Sequence, residues 1–277
     1  MEDTKTNKTL VNVVLDRSGS MSCGRAGTIS GYNEYINGLR ADKDTEYFVS
    51  LVQFDSPSGS DSPELTIKYT DKPLVDVPLL TEADYMPRGM TPLYDAVGEC
   101  IRRVETKDRS VLTVIITDGK ENASREFSRD AIKALIAEKE TKEHWTFAFL
   151  GANIDSYAVG GTLGVASSAT SNYTVGHEQA VYASLAHSTV MRSATARTMG
   201  LRSAAVMGMF SDDQRVAMGD TTAHQTTPKP SRVSKTGGGG PAAGVPFRDT
   251  PNPGTPVSRS KRRDWKVSGA STASPKS

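Results

Sequence analysis

The chain has 277 residues and a formal net charge of +1, unevenly spread. Residues 221–277 carry ten Lys or Arg against two Asp, which leaves an excess of seven acidic groups on residues 1–220. No apolar run approaches the ~18 residues of a membrane span, the stretch Met1–Lys8 lacks the apolar core of a signal peptide, and two cysteines without a Cys-x-x-Cys pair or Cys/His cluster argue against zinc.

These features lead us to expect a protein of the reducing cytoplasm, with Cys23 and Cys100 as free thiols. The sequons at Asn7, Asn122 and Asn172 would then carry no glycan. The first strand is an apolar run, Leu10-Val-Asn-Val-Val-Leu15, that ends in Asp16. Such a run bounded by a turn reads as a fully buried strand. Ile29, Tyr32, Ile36 and Leu39 repeat at helical spacing and predict a helix over 26–40. A second strand follows over Glu46–Phe54. After a stretch dense in turn residues (55–63), Leu65–Thr70 alternates as an edge strand that pairs back antiparallel.

Val77–Leu80 is a short apolar patch, and Pro92 can open a helix whose inner face is Leu93, Ala96, Val97, Cys100, Ile101 and Val104. Val111–Thr117 is a second buried-strand run that again ends in an aspartate, Asp118, followed by Gly119. Ser128 caps a helix with Ile132, Leu135 and Ile136 inward. Trp145–Leu150 is a strand closed by Gly151, and Asp155–Gly161 is a short helix with a glycine stop. Ala169–Thr174 reads as the last strand, 177–198 as an alanine-rich helix, and 201–210 as a short terminal helix.

Strand–helix alternation predicts an α/β fold: an open, doubly wound, Rossmann-like sheet, mostly parallel, with one antiparallel edge strand and helices on both faces. The expected divisions are a flexible N-terminus (1–8), a folded domain (9–200), a peripheral helix or extension (201–220) and a disordered basic tail rich in Gly, Pro, Ser and Thr (221–277).

Three segments carry chemistry. Asp16, Ser18 and Ser20 place three hard oxygens within five residues, with Gly19 allowing the turn between them. Thr91 lies in the loop before the middle helix, and Asp118 closes the second buried strand. Parallel strands bring their carboxyl ends to one sheet edge, so the three segments can converge there. Hydroxyl and carboxylate oxygens suit Mg²⁺ or Mn²⁺. Asp16-Arg-Ser-Gly-Ser20, Thr91 within Gly89-Met-Thr-Pro-Leu-Tyr-Asp95, and Thr117-Asp-Gly119 resemble the metal-ion-dependent adhesion site (MIDAS) of the von Willebrand factor A (VWA) family. Lys120–Ser124 and Phe149–Asn153 are similar to single-domain members from bacteria and their phages.

The resemblance covers about residues 8–200 and leaves out the tail. It implies a VWA fold in a binding module, not an enzyme, and a prokaryotic or phage-infected cytoplasm. It also implies that Ser18, Ser20 and Thr91 hold the metal directly, with Asp16 and Asp118 acting through waters or the serine hydroxyls. A carboxylate of an unknown protein partner would fill the open position.

Other readings compete with this one. A haloacid-dehalogenase-type phosphatase also opens on a strand ending in Asp, but needs a second aspartate where Ser18 stands. A metal-dependent hydrolase on the same site is the enzymatic alternative. His144, His177, His187 and His224 form no assignable catalytic set by spacing. Gly160–Gly164 reads as a helix stop and Gly237–Gly240 as a linker. Asp95 and Glu99 read as solvated partners of Arg102 and Arg103, while Arg88 stands ready to recognise an acidic partner. The cluster Arg259–Lys266 is a solvated tail, or a weak contact to nucleic acid or an acidic surface.

Overall fold

The computed structural model describes residues 3–57, 63–106 and 108–222. The tail expectation therefore lies outside the described residues from position 223 on. Six strands form one sheet in the order β3-β2-β1-β4-β5-β6. They are β1 (Lys8–Asp16), β2 (Glu46–Asp55), β3 (Glu64–Pro73), β4 (Ser110–Thr117), β5 (Thr146–Ala152) and β6 (Thr170–Tyr173). Every pairing is parallel except that of β3 with β2, as the alternation of 65–70 predicts. In β1, every residue from Thr9 to Asp16 is buried, as expected of a strand with parallel neighbours on both sides and helices over both faces.

The order of strands decides where a ligand can sit. From β1 the chain moves outward through β2 to the edge strand β3. It then returns across β1 to start β4 on the other side. The winding direction reverses between β1 and β4, which leaves a crevice at the carboxyl ends of those two strands. Asp16 is the last residue of β1, and Asp118 follows the last residue of β4.

The helices are α1 (Arg25–Ala41), α2 (Leu93–Arg103), α3 (Arg129–Glu143), α4 (Ser156–Leu163), α5 (Glu178–Thr198), α6 (Leu201–Ala205) and α7 (Asp212–Ala217). α1 and α5 pack together, while α2, α3 and α4 form a separate packed group. The α1–α5 contact is close because α1 presents glycines. A Cβ on Gly31 would lie 2.1 Å from Cδ2 of the buried Tyr182. Ser128 caps α3 as expected, its side chain accepting from the Ala131 N–H.

Three local expectations are corrected. α4 does not stop at Gly160-Gly161 but runs through both, because the left-handed turn it needs comes at Gly164, with φ +92. β5 continues through Gly151 to Ala152. α7 was not anticipated, although Ser211 and Gln214 form a capping box with both reciprocal bonds made. Met209, Phe210 and Met218 reach the main core, so 201–220 packs on the domain body. The N-terminal residues are tied in as well. Asp3 accepts from the Arg202 and Ser203 N–H groups, and the Thr6 N–H donates to the Ala196 carbonyl. Cys23 and Cys100 are both free, as expected from the sequence.

Candidate metal centre

The five residues expected to form the site meet at the switch-point crevice. Asp16 is fully buried. Its Oδ1 accepts the Ser18 N–H at 2.6 Å and its Oδ2 accepts the Thr117 hydroxyl at 2.5 Å. Asp16 thus closes the turn after β1 and ties it to the end of β4. The Ser18 and Ser20 hydroxyls are 3.1 Å apart, and Ser20 donates to Asp118 Oδ1 at 2.5 Å. A chain of polar contacts therefore links the first loop to the third. Thr91 is buried, and its Oγ1 lies 2.7 Å from where a Cβ on Gly119 would stand. Gly119 is small because the Thr91 hydroxyl occupies the space over its Cα.

Both carboxylates are held toward their neutral forms. Burial pushes Asp16 up to about 6, against the lowering effect of the Thr117 and Ser18 hydrogen bonds, and the charge of Asp118 adds to the rise. Burial also raises Asp118, against the bond from Ser20. A cation bound beside the two carboxylates would act against both shifts. Among the described residues, no group of three or more His, Cys, Asp or Glu is placed to hold a metal. Any metal here would rest on hydroxyls, a donor set that fits Mg²⁺ or Mn²⁺ rather than a thiolate or imidazole metal.

The loop carrying Thr91 is fixed from several sides. Its Gly89 sits at φ +66, and a Cβ there would fall 1.8 Å from the Ser56 carbonyl oxygen. Ser56 and Met90 exchange backbone hydrogen bonds at 2.9 and 3.0 Å, and the Gly19 N–H donates to the Gly89 carbonyl at 3.0 Å. The first loop and the Thr91 loop are therefore bonded directly. Sequence reasoning missed two further supports. The hydroxyl of the buried Tyr85 donates to the Asp16 carbonyl at 2.6 Å. Asn122 accepts the Thr91 N–H on its side chain at 2.8 Å and donates its own N–H to the Thr91 carbonyl at 3.1 Å. In the sequence Asn122 stood out only as a sequon and as part of the Lys120–Ser124 stretch, with no role assigned to its side chain. Its asparagine–threonine reciprocity spans 31 positions and has no local signature.

Two side-chain expectations are corrected. Asp95 is fully buried rather than solvated. Its Oδ1 accepts from the Glu126 and Phe127 N–H groups and its Oδ2 from Arg125, all at 2.8–2.9 Å. It anchors the loop after Asp118, while Glu99 does pair with Arg103. Arg88 is half exposed, but its charge is already engaged by Asp55 and Glu64 at 2.8 and 2.7 Å. Arg17 shares Asp55 at 3.0 Å. Arg88 also donates its backbone N–H to the Arg17 carbonyl. These two arginines brace the loops on either side of the site. The described histidines lie elsewhere: His144 precedes β5 at the opposite sheet edge, His177 bonds the Ala217 carbonyl, and His187 is on α5.

No protein-family model matches the chain, and no curated protein matches it. Solved structures do match in shape. Proximal thread matrix protein 1 from the mussel byssus aligns at 12% identity and a TM-score of 0.47, over 69% of this chain and 49% of that one. A form of the same protein is described with a zinc-occupied MIDAS motif, at 14% identity and 0.45, covering 66% of this chain and 46% of that one. The manganese-loaded TRAP protein of Plasmodium vivax aligns at 17% and 0.44, over 65% of this chain and 74% of that one. A von Willebrand factor type A protein from Catenulispora acidiphila aligns at 11% and 0.45, over 66% and 43%. The chain spans about half the length of the first of these. Such distant likenesses carry no functional argument. Sheet order and site geometry carry it instead.

Proposed function

We propose that this chain is a divalent-metal-dependent protein-binding module, not an enzyme. The observation that carries the reading is the polar chain Asp118–Ser20–Ser18 together with Asp16–Thr117, with Thr91 set against Gly119, all at the sheet's switch point. Ser18, Ser20 and Thr91 would hold Mg²⁺ or Mn²⁺ through their hydroxyls. Asp16 and Asp118 would orient those hydroxyls and balance the charge. When bound, the cation would supply an electrophilic centre that lacks a full set of negative ligands. An acidic side chain from a partner protein would complete it.

The test is thermal unfolding and calorimetric titration with MgCl₂ and MnCl₂. Saturating metal, at about 100 times Kd, should stabilise the fold by ~2.7 kcal/mol. Thr91→Ala should lose most of that gain while remaining folded, and Asp118→Ala should lose all of it. A chain that neither binds nor is stabilised by either metal, or a Thr91→Ala variant that responds like the natural chain, overturns the reading.

A further inference from the structure

Away from the metal centre, at the end of the sheet where β5 begins, a cavity of about 310 Å³ opens between the last turns of α3, the first residues of β5 and the segment from α6 to Met207. That volume is at the small end of the range for small-molecule sites. Its walls are largely apolar. Trp145 and Phe147 are buried beneath it, and Ala205 and Met207 are partly exposed along its side. The indole brings no free donor, because its N–H already donates to the Thr106 hydroxyl at 2.9 Å.

Two oppositely charged groups line the same cavity, and both lack the partners that their neighbours have. α3 carries three glutamates in its last two turns. Glu138 pairs with Lys142 at 2.9 Å and Glu143 with Lys139 at 2.6 Å. Glu140 is partly buried and has neither a hydrogen bond nor an ion pair among the described residues. Burial alone raises its pKa, with no contact to oppose the rise. It also stands near the carbonyl end of the helix, where a negative charge is disfavoured and a cation is favoured. From α6, Arg202 lines the cavity with an exposed guanidinium that donates to no described residue. Asp3, which senses its charge, bonds the backbone N–H groups of Arg202 and Ser203 instead. Glu140 and Arg202 thus line one space without pairing. His144, the third titratable group on the wall, ends α3 as its left-handed cap.

We propose that this cavity binds a small zwitterionic amino acid: its ammonium pairs with Glu140 at the carbonyl end of α3, its carboxylate pairs with Arg202, and its carbon chain lies on the apolar wall. A simple amine would leave Arg202 without a partner. A simple acid would bring a second negative charge toward Glu140. A ligand with both groups satisfies both walls, and charge-assisted hydrogen bonds are the strong ones. The site is independent of the metal centre.

The experiment uses the full chain in excess EDTA, so that no ligand carboxylate is held by a metal. Calorimetric titration measures binding of glycine, β-alanine, γ-aminobutyrate and ε-aminocaproate, a series in which the two charges move apart. Butylamine and butyrate carry one charge each. The proposal expects one length to bind best, about ten-fold or more tighter than butylamine or butyrate, as the loss of one hydrogen bond to a charged group implies. Glu140→Gln and Arg202→Gln should each weaken that zwitterion by a similar factor. Glu140→Gln should not lower the melting temperature of the free chain, since nothing pairs with the carboxylate. The proposal is overturned if no member binds at millimolar concentration or if all lengths bind alike. It is equally overturned by a one-charge ligand that matches the best zwitterion, by either variant binding like the natural chain, or by a lower melting temperature of free Glu140→Gln.

Discussion

Asp95 offers a sharp test of how the loop behind the metal centre is held. Its side chain is fully buried at the start of α2 and receives three backbone N–H groups from the 125–127 loop. The same loop is clamped elsewhere. Phe127 packs over Gly98, where a Cβ would lie 2.5 Å from the ring, and Arg102 stacks on that ring at 4.2 Å. Glu121 accepts from Tyr94, Ala123 and Ser124 N–H groups. In Asp95→Ala all three N–H groups lose their partner. Arg125 and Glu126 are exposed and can turn to water, whereas Phe127 is buried. One stranded buried donor costs ~1–3 kcal/mol and two resolvated bonds ~0.5–1.5 each, which gives ~4 kcal/mol in all.

Asp95→Asn separates charge from geometry. Its one carbonyl oxygen can keep the Glu126 and Phe127 bonds made by Oδ1, while its NH₂ faces the Arg125 N–H and loses that contact. The expected loss is ~1 kcal/mol, because the Arg125 site is wet. Urea unfolding with linear extrapolation measures both values. Asp95→Ala within 1 kcal/mol of the natural chain, or Asp95→Asn as damaging as Asp95→Ala, would refute the three-bond account.

Three further outcomes are expected. Gly89→Ala must hold a Cβ at φ +66 against the Ser56 carbonyl, and should cost ~3 kcal/mol and displace Thr91; urea unfolding and metal titration check the two parts, and an unchanged midpoint would contradict the geometry. Gly31→Ala should cost ~1–3 kcal/mol by forcing α1 off Tyr182, read as a lower melting temperature. Iodoacetamide at pH 8 should label exposed Cys23 in the folded chain and Cys100 only after unfolding, because burial pushes the Cys100 thiol up to about 12; mass spectrometry of the native reaction showing modified Cys100 would count against it.

The sheet was readable because its strands are chemically uniform. β1 and β4 are apolar runs that end in aspartate, and Leu65–Thr70 alternates as a half-covered edge strand must. Where local signals failed, competing physics explains why. Gly160-Gly161 resembles a helix stop, yet a glycine ends a helix only where the chain turns left-handed, and that happens at Gly164. Gly160 stays helical where a Cβ would stand 3.3 Å from the Phe149 ring, so it serves close packing against β5, while a Cβ on Gly161 would meet open space. The capping box that starts α7 was readable at Ser211 and Gln214, but the helix is six residues long and too short to show periodicity.

The site was legible only in part, and the division follows from what spacing can encode. The five oxygen-bearing residues sit at strand ends, so knowing the strands places them. Asp95, Asn122 and Tyr85 act across 30 or more positions on backbone groups that no side-chain pattern marks, and Asp55 acts on two arginine side chains more than 30 positions away. On helical spacing alone Asp95 is indistinguishable from a solvated partner of Arg102. What separates the two is that Arg102 reaches Glu126 and Phe127, while Asp95 turns inward to the backbone of the same loop. One loop thus takes both a cation and an anion from α2. Its first residues, through Asn122, fix the Thr91 backbone. Rigid placement of a hydroxyl that is itself a weak ligand is what lets three such groups act together, and the surrounding network supplies it.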